Sequence, residues 1–368
     1  MNNIKLFDLK RQYKKISPHI KSRINKVLES GQYIMGPNVI SLESKFREAL
    51  GSKYAISCNS GTDALLLSLR ALGIGQGDEV ITTAFTYFAT AEAILLCGAK
   101  PVFVDINPNT YNIDEVLVEK SITRKTKAII PVHIFGQPAR VDVIKKICKK
   151  NKLSLIEDCA QSYGATIKGK NTGTFGEFGC FSFFPTKNLG CAGDGGMVVT
   201  NNKNLSLRIQ MLRNHGGLKR NIHDYIGYNS RLDEIQAAIL IEKMKIIKKL
   251  NIKRNNIAKT YFKLIKNKHI ILPTTHVSSN HVYHQFTILT QKRASFLKHL
   301  SKYKIPTGLY YPKPIYSQNA LKDLNIPYKN KKLKNTELVC KQCVSLPMYP
   351  ELTKKEIKYI CDIINEFK

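Results

Sequence analysis

Apolar and polar positions alternate in blocks along the first half of the chain. YAISCNS (54–60), DEVITTAFT (78–86), KPVFVDI (100–106), TKAIIPVHIFG (126–136) and LSLIEDCAQS (153–162) read as short strands. Between them, GTDALLLSLRALGI (61–74), ATAEAILLCGA (89–99) and VDVIKKICKKN (141–151) carry helical spacing. Strands that alternate with helices of this length predict a parallel sheet with helices on both faces. Ahead of this run, residues 17–30 open with Ser-Pro and stop at Gly31, and residues 39–50 show a second helical pattern. GQYIMGP between them reads as a Gly-bounded loop.

The pattern changes near residue 171. GTFGEFGCFSFF (173–184) and GDGGMVVTNN (193–202) are strand-like with turn signals and predict an antiparallel hairpin. Residues 206–217 read as a helix, and residues 231–267 as one long helix leading into a second unit. The remainder mixes Lys-rich helices with isolated strands such as HVYHQFTIL, an α+β pattern. We therefore expect a large domain over residues 1–245 and a small one over 246–368.

Composition narrows the class. Of 368 residues, 43% are hydrophobic and 23% charged, which supports a sizeable core and argues against wholesale disorder. The net charge of +31 is uneven, with +9 in residues 1–200 and +22 in residues 201–368. The lysines are scattered singly or in pairs, without an Arg-rich stripe interleaved with aromatics, so no nucleic-acid partner is expected. Such a surface would still attract anionic small molecules. Nine cysteines, several in apolar contexts, read as buried thiols of a reducing compartment. Cys340-Lys-Gln-Cys343 offers only half a zinc site, and no metal is expected. The N-terminus has no apolar signal region and no run is long enough to span a bilayer, so a cytoplasmic protein is expected.

In open α/β sheets, ligands bind beyond the carboxyl ends of the strands. The polar residues there are Asn59-Ser60-Gly61-Thr62, Thr86-Tyr87, His133 and Glu157-Asp158-Cys159-Ala160-Gln161. Gly61 and Thr62 open a helix, whose free N–H groups suit a phosphate; an ordinary helix cap explains them equally well. Asp158 suits a protonated ring nitrogen, or a cap or salt bridge. The most informative stretch is FSFFPTKNLGCAGDGG (181–196). Lys187 is the only lysine between Lys170 and Lys203, set between an aromatic run and a Gly-rich turn. Burial there lowers a lysine's pKa and makes it a Schiff-base nucleophile. Phosphate cradle, strand-end Asp and loop Lys together match what pyridoxal phosphate needs.

GQYIMGP, NSGTDAL, GDEVITTAFTYFAT, LIEDCAQSYGA, FSFFPTKNLGCAGDGG, YNSRLDEIQAAIL, YYPKPIY and SLPMYP occur in that order, nearly end to end. In these motifs the chain resembles the DegT/DnrJ/EryC/StrS family of nucleotide-sugar aminotransferases. The resemblance implies a fold-type-I pyridoxal-phosphate transferase: α/β, a mostly parallel seven-stranded sheet between helices, and a smaller α+β C-terminal domain. It implies that Lys187 carries the cofactor and shuttles protons, Asp158 pairs with the ring nitrogen, and Gln161 faces the phenolic oxygen. Tyr87 would stack on the ring. Gly61, Thr62 and Ser182 would hold the phosphate, with Asn229 reaching it from the second subunit of a homodimer. Met35, Arg231, Tyr310 and Tyr311 would meet the sugar; the family's commoner pattern is His-Tyr-Pro, so Tyr310 is a departure. The implied substrates are L-glutamate and a nucleotide-linked keto sugar, 3-keto or 4-keto, leading to an amino sugar of a surface glycan. Because Lys187 is kept, transamination is expected rather than the dehydration catalysed by members with His there.

Overall fold

The computed structural model describes residues 4–322, 324 and 333–368. Two helices come first, α1 (Leu9–Ser30) and α2 (Pro37–Leu50). Strands β1 (Tyr54–Cys58), β2 (Glu79–Thr83), β3 (Lys100–Val104), β4 (Thr126–Ile130) and β5 (Ser154–Asp158) then alternate with helices. These are α3 (Gly61–Ala71), α4 (Ala89–Leu96), α5 (Glu115–Lys120) and α6 (Val141–Asn151). Short strands β6 (Thr166–Ile167) and β7 (Lys170–Asn171) precede the hairpin of β8 (Phe178–Ser182) and β9 (Gly196–Thr200). The main sheet has seven strands in the order β1-β9-β8-β5-β4-β2-β3. Only β9 runs against its neighbours, β1 and β8. This is the mostly parallel α/β sheet that the alternating blocks predict, with apolar clusters on both faces, one under Leu67 and Ile94 and another around Phe46 and Leu240.

Helices α7 (Lys203–Arg213), α8 (Glu234–Met244) and α9 (Ile247–Leu264) follow. The expected single helix over 231–267 is therefore two, broken at Lys245-Ile246. Ile239 of α8 packs with Ile16 and Ile20 of α1, while Ile257 and Tyr261 of α9 join a separate apolar cluster. The break redirects the chain from one core to the other, and an apolar spacing count does not see it. That second cluster also takes in β11 (Phe286–Leu289), α10 (Arg293–Lys302), β12 (Cys343–Leu346) and α12 (Lys354–Asn365). The remaining strand and α-helix among the described residues are β10 (Ser279–Asn280), which pairs with β6, and α11 (Lys334–Gln342).

Two further expectations change. Helix α1 begins at Leu9, not Ser17, because the Asp8 carboxylate accepts from Arg11 N at 3.1 Å and caps it; Pro18 lies inside. The apolar run after β4 stays bridged to Asp158 of β5 through Val132 and then makes a 3₁₀ turn over Ile134–Gly136. Among the described residues, no helix is long and apolar enough to cross a membrane.

Candidate active site

A cavity of about 680 Å³ opens at the carboxyl ends of β5 and β8 and the amino end of α3. Gly61, Thr62, Tyr87, Asp158, Gln161, Ser182, Lys187, Tyr310 and Tyr311 all line it. The fold thus brings together nine of the twelve residues singled out from sequence. Met35, Asn229 and Arg231 do not line it. Met35 is 40% exposed, and Arg231 donates to Asn229 Oδ1 from Nε (3.1 Å) and Nη2 (2.8 Å).

Strand alternation explains how the aromatic run builds the wall. Phe181 and Phe183 point inward and meet Phe46 edge-on at 5.1 and 5.6 Å. Ser182 and Phe184 take the opposite face and line the cavity. The loop then folds back, with Lys187 N donating to Phe184 O (2.8 Å) and Cys191 N to Phe183 O (2.8 Å). Burial lowers the Lys187 ammonium to about 8, against a smaller opposing pull from Asp158.

Asp158 ends β5 and is buried. Its Oδ2 accepts from Thr90 Oγ1 (2.9 Å) and its Oδ1 from Ala160 N (3.1 Å). Burial raises its pKa; the two hydrogen bonds and the charge of Lys187 oppose this. Such a carboxylate favours a cationic N–H partner. Helix α3 starts against Ser182, with Ser60 Oγ capping it by accepting from Asp63 N (3.0 Å). A Cβ on Gly61 would lie 2.6 Å from Ser182 Cβ. Only glycine lets the helix start and the Ser182 hydroxyl share one small volume, which fits a phosphate at the positive end of α3.

Gln161 is held from both sides. Its Oε1 accepts from Phe135 N (2.6 Å) and its Nε2 donates to the Tyr311 hydroxyl (3.1 Å). One Nε2 N–H is left without a partner in these bonds, on a side chain that lines the cavity. Sequence reasoning missed several cavity residues: Phe7, Thr90, His284 and Gln285. Thr90 lies on the inner side of α4, one turn past Thr86, and the two hydroxyls are 3.2 Å apart. His284 sits in HVYHQFTIL, where a polar residue in an apolar run was the available signal. His133, a strand-end candidate, is buried away from the cavity against Glu157 (Nε2 to Oε2, 3.1 Å). These two and Cys159 are the cluster of metal-ligand type among the described residues. Three backbone amides, Gly173, Phe175 and Gly176, also donate to Glu157, so its carboxylate is structurally satisfied. All nine cysteines are free and buried.

A half-buried lysine, a buried carboxylate and a glycine-floored helix start around one cavity define a pyridoxal-phosphate enzyme. The family comparison is in agreement. The DegT/DnrJ/EryC1/StrS aminotransferase family matches residues 14–365, and the chain belongs to that family. It is an aminotransferase with pyridoxal phosphate as cofactor. Among similar proteins, UDP-2-acetamido-2-deoxy-3-oxo-D-glucuronate aminotransferase of Pseudomonas aeruginosa is 44% identical, over 97% of this chain and 98% of that one. A protein of Geobacillus stearothermophilus named pleiotropic regulatory protein is 43% identical over 99% and 98%. The crystal structure of DesV from S. venezuelae superposes with a TM-score of 0.96 at 37% identity, covering 100% of this chain and 98% of that one.

Proposed function

We propose that the chain moves the amino group of L-glutamate onto the keto group of a nucleotide-activated hexose. A 3-keto sugar linked to UDP or dTDP is favoured over a 4-keto sugar. The observation that carries the reading is the Lys187 amine facing the same cavity as the buried Asp158 carboxylate. The substrate class is supported by the Pseudomonas relative's name and by a second relative at 40% identity, a dTDP-3-amino-3,6-dideoxy-α-D-galactopyranose transaminase of Aneurinibacillus thermoaerophilus.

When bound, pyridoxal phosphate supplies an electron sink for the amino-bearing carbon. The chain supplies the rest. Lys187 Nζ, lowered to about 8, takes and returns the proton at that carbon near neutral pH. Asp158, fixed by Thr90 and Ala160 N, holds the ring N–H. Gly61 and Thr62 N–H groups with the Ser182 hydroxyl bind the phosphate, and Tyr87 covers the ring face. Tyr310 and Tyr311 border the sugar.

The active unit is a homodimer in this reading. Asn229 and Arg231 do not line their own cavity, and Tyr225 and Ile226, a few residues earlier, are exposed apolar side chains, which supports a role for this segment in the cavity of a second copy. Met35 belongs to the same surface: Glu234 N donates to Tyr33 O at 2.9 Å. The division into units at about residue 245, a cytoplasmic location and a surface-glycan product belong to the same proposal. The +22 charge of residues 201–368 motivates a second reading, a non-catalytic regulatory or polyanion-binding protein on this fold, and the Geobacillus relative's name goes with its regulatory part alone; the intact Lys187 and Asp158 pair opposes it.

The test is a panel of UDP- and dTDP-linked 3- and 4-amino sugars run in reverse with 2-oxoglutarate. The sugar that changes the cofactor spectrum fastest identifies nucleotide and carbon together. A colourless protein that takes up no cofactor and converts no glutamate would overturn the reading. Nucleic-acid affinity that falls steeply with salt would then support the second one.

A further inference from the structure

Two backbone carbonyls fix the direction of a hydrogen-bond chain that ends in the cavity wall. Asn251 Nδ2 donates to Tyr163 O at 3.0 Å. A carbonyl only accepts, so the Asn251 Oδ1 is the atom that faces Asn188. Asn188 Nδ2 donates to that oxygen (3.0 Å) and to Val282 O (3.2 Å). Its Oδ1 is thereby left to accept from His284 Nδ1 at 3.2 Å. His284 must carry its proton on Nδ1, and Nε2 keeps a lone pair.

Nε2 has no hydrogen-bond partner among the described residues, while the ring lines the cavity that holds Lys187. The ring is also held in place. Phe7 stacks on it with centroids 6.5 Å apart. Buried Arg254 pins the adjacent backbone, its Nη1 donating to the carbonyls of Tyr283 (3.1 Å), His284 (3.3 Å) and Met348 (2.9 Å). So much fixed structure behind one acceptor nitrogen asks what donates to it.

Charge selects the class of donor. Burial first, then the positive charges of Lys187 and Arg254, hold His284 well below an ordinary histidine pKa. The same positive potential disfavours an ammonium ligand at Nε2. A carboxylate or diphosphate oxygen has no proton to give. A neutral hydroxyl has one, and Gln285, Tyr310 and Tyr311 make the neighbouring wall uncharged. We propose that His284 is a specificity residue of the sugar half-reaction, its Nε2 accepting a hydrogen bond from a hydroxyl of the bound sugar. This rests on the sugar-nucleotide reading above.

The test uses the cofactor-loaded protein with ¹⁵N-labelled histidine and UDP-N-acetylglucosamine as a stable hydroxyl-bearing probe. The His284→Gln variant assigns the resonance. The expected result is a proton on Nδ1, an unprotonated Nε2, and an upfield shift of Nε2 on saturation with the probe. In kinetics, His284→Phe raises the sugar KM about five- to tenfold beyond any change in the glutamate half-reaction, and His284→Gln, which keeps an acceptor, recovers part of it. A proton on Nε2, an unmoved Nε2 with the probe bound, or equal losses in both half-reactions overturns the proposal. dTDP-glucose serves as the second probe; if neither nucleotide sugar binds while glutamate is still converted, the sugar-nucleotide reading is overturned and the proposal with it.

Discussion

Gly61 and Ser182 occupy one another's space so closely that a Cβ on Gly61 would stand 2.6 Å from Ser182 Cβ and 3.2 Å from Ser182 Cα. The first turn of α3 and the end of β8 are thereby locked together where the phosphate is proposed to bind. Gly61→Ala must push them apart and misalign the helix N–H groups. It should weaken pyridoxal-phosphate binding at least tenfold, read by absorbance titration, because one charge-assisted hydrogen bond accounts for about 1.5–3 kcal/mol. Ser182→Gly removes the closest atom of the clash, so adding Gly61→Ala to Ser182→Gly should cost less affinity than adding it to the wild type. If Gly61→Ala binds like the wild type, the cradle is misassigned.

Lys187 gives a prediction with a pH window. Its folded value is lowered to about 8 from an ordinary 10.5. Between those values the unfolded chain holds a proton that the cofactor-free fold does not. This group's contribution to stability therefore rises with pH from about 8 to 10.5, and is flat below pH 8, where both states are protonated. Lys187→Met should remove that rise in denaturant titrations of the cofactor-free protein. Amine labelling followed by mass spectrometry should show Lys187 gaining reactivity near pH 8, ahead of the surface lysines. Labelling in step with the surface lysines would show that burial does not tune this amine.

Thr90 Oγ1 donates to Asp158 Oδ2 over 2.9 Å, inside a region where burial works against the carboxylate's charge. Thr90→Val takes away the donor and leaves the shape. Asp158 should then ionise less readily and hold a ring N–H more weakly. Cofactor affinity is expected to fall roughly ten- to a hundredfold, the worth of a hydrogen bond to a charged group. Asp158→Asn should cost more, and in the half-reaction rate as well as in binding. A Thr90→Val protein with unchanged affinity would place Thr90 outside the cofactor's support.

Which parts of this were legible in the sequence follows from what each part depends on. The parallel sheet was legible because strands and helices in alternation carry two different apolar periods, and β1 to β5 fall where the blocks fall. Lys187 and Asp158 stood out because a lone lysine between aromatics and glycines, and an acid at a strand end, are unusual locally. The break between α8 and α9 was not legible, since Lys245 and Ile246 are ordinary helix formers and the turn serves two cores far apart in sequence. Thr90 and His284 were missed for a related reason. Each acquires its role from a partner distant in the chain, Asp158 and Asn188 respectively, and no local pattern announces such a pair.

Arg231 offers the sharpest test of the sugar's chemistry. Its guanidinium has five N–H donors. Three are engaged within the chain: Nε and Nη2 on Asn229 Oδ1, at 3.1 and 2.8 Å, and Nη1 on Asn214 Oδ1 at 3.3 Å. Two remain, one on each terminal nitrogen, and since Arg231 does not line its own cavity they are free for a partner's. If the sugar is a uronate, that is where its carboxylate belongs, and Arg231→Ala should raise the sugar KM roughly ten- to a hundredfold. The glutamate half-reaction should change far less. Arg231→Lys keeps the charge but not the fork, and should recover only part of the loss. The competing role is support of Asn229, which is proposed to touch the cofactor phosphate. In that case the cofactor Kd, not the sugar KM, moves with Arg231→Ala. If neither moves, the carboxylate assignment fails, and a neutral 6-deoxy sugar becomes the preferred substrate.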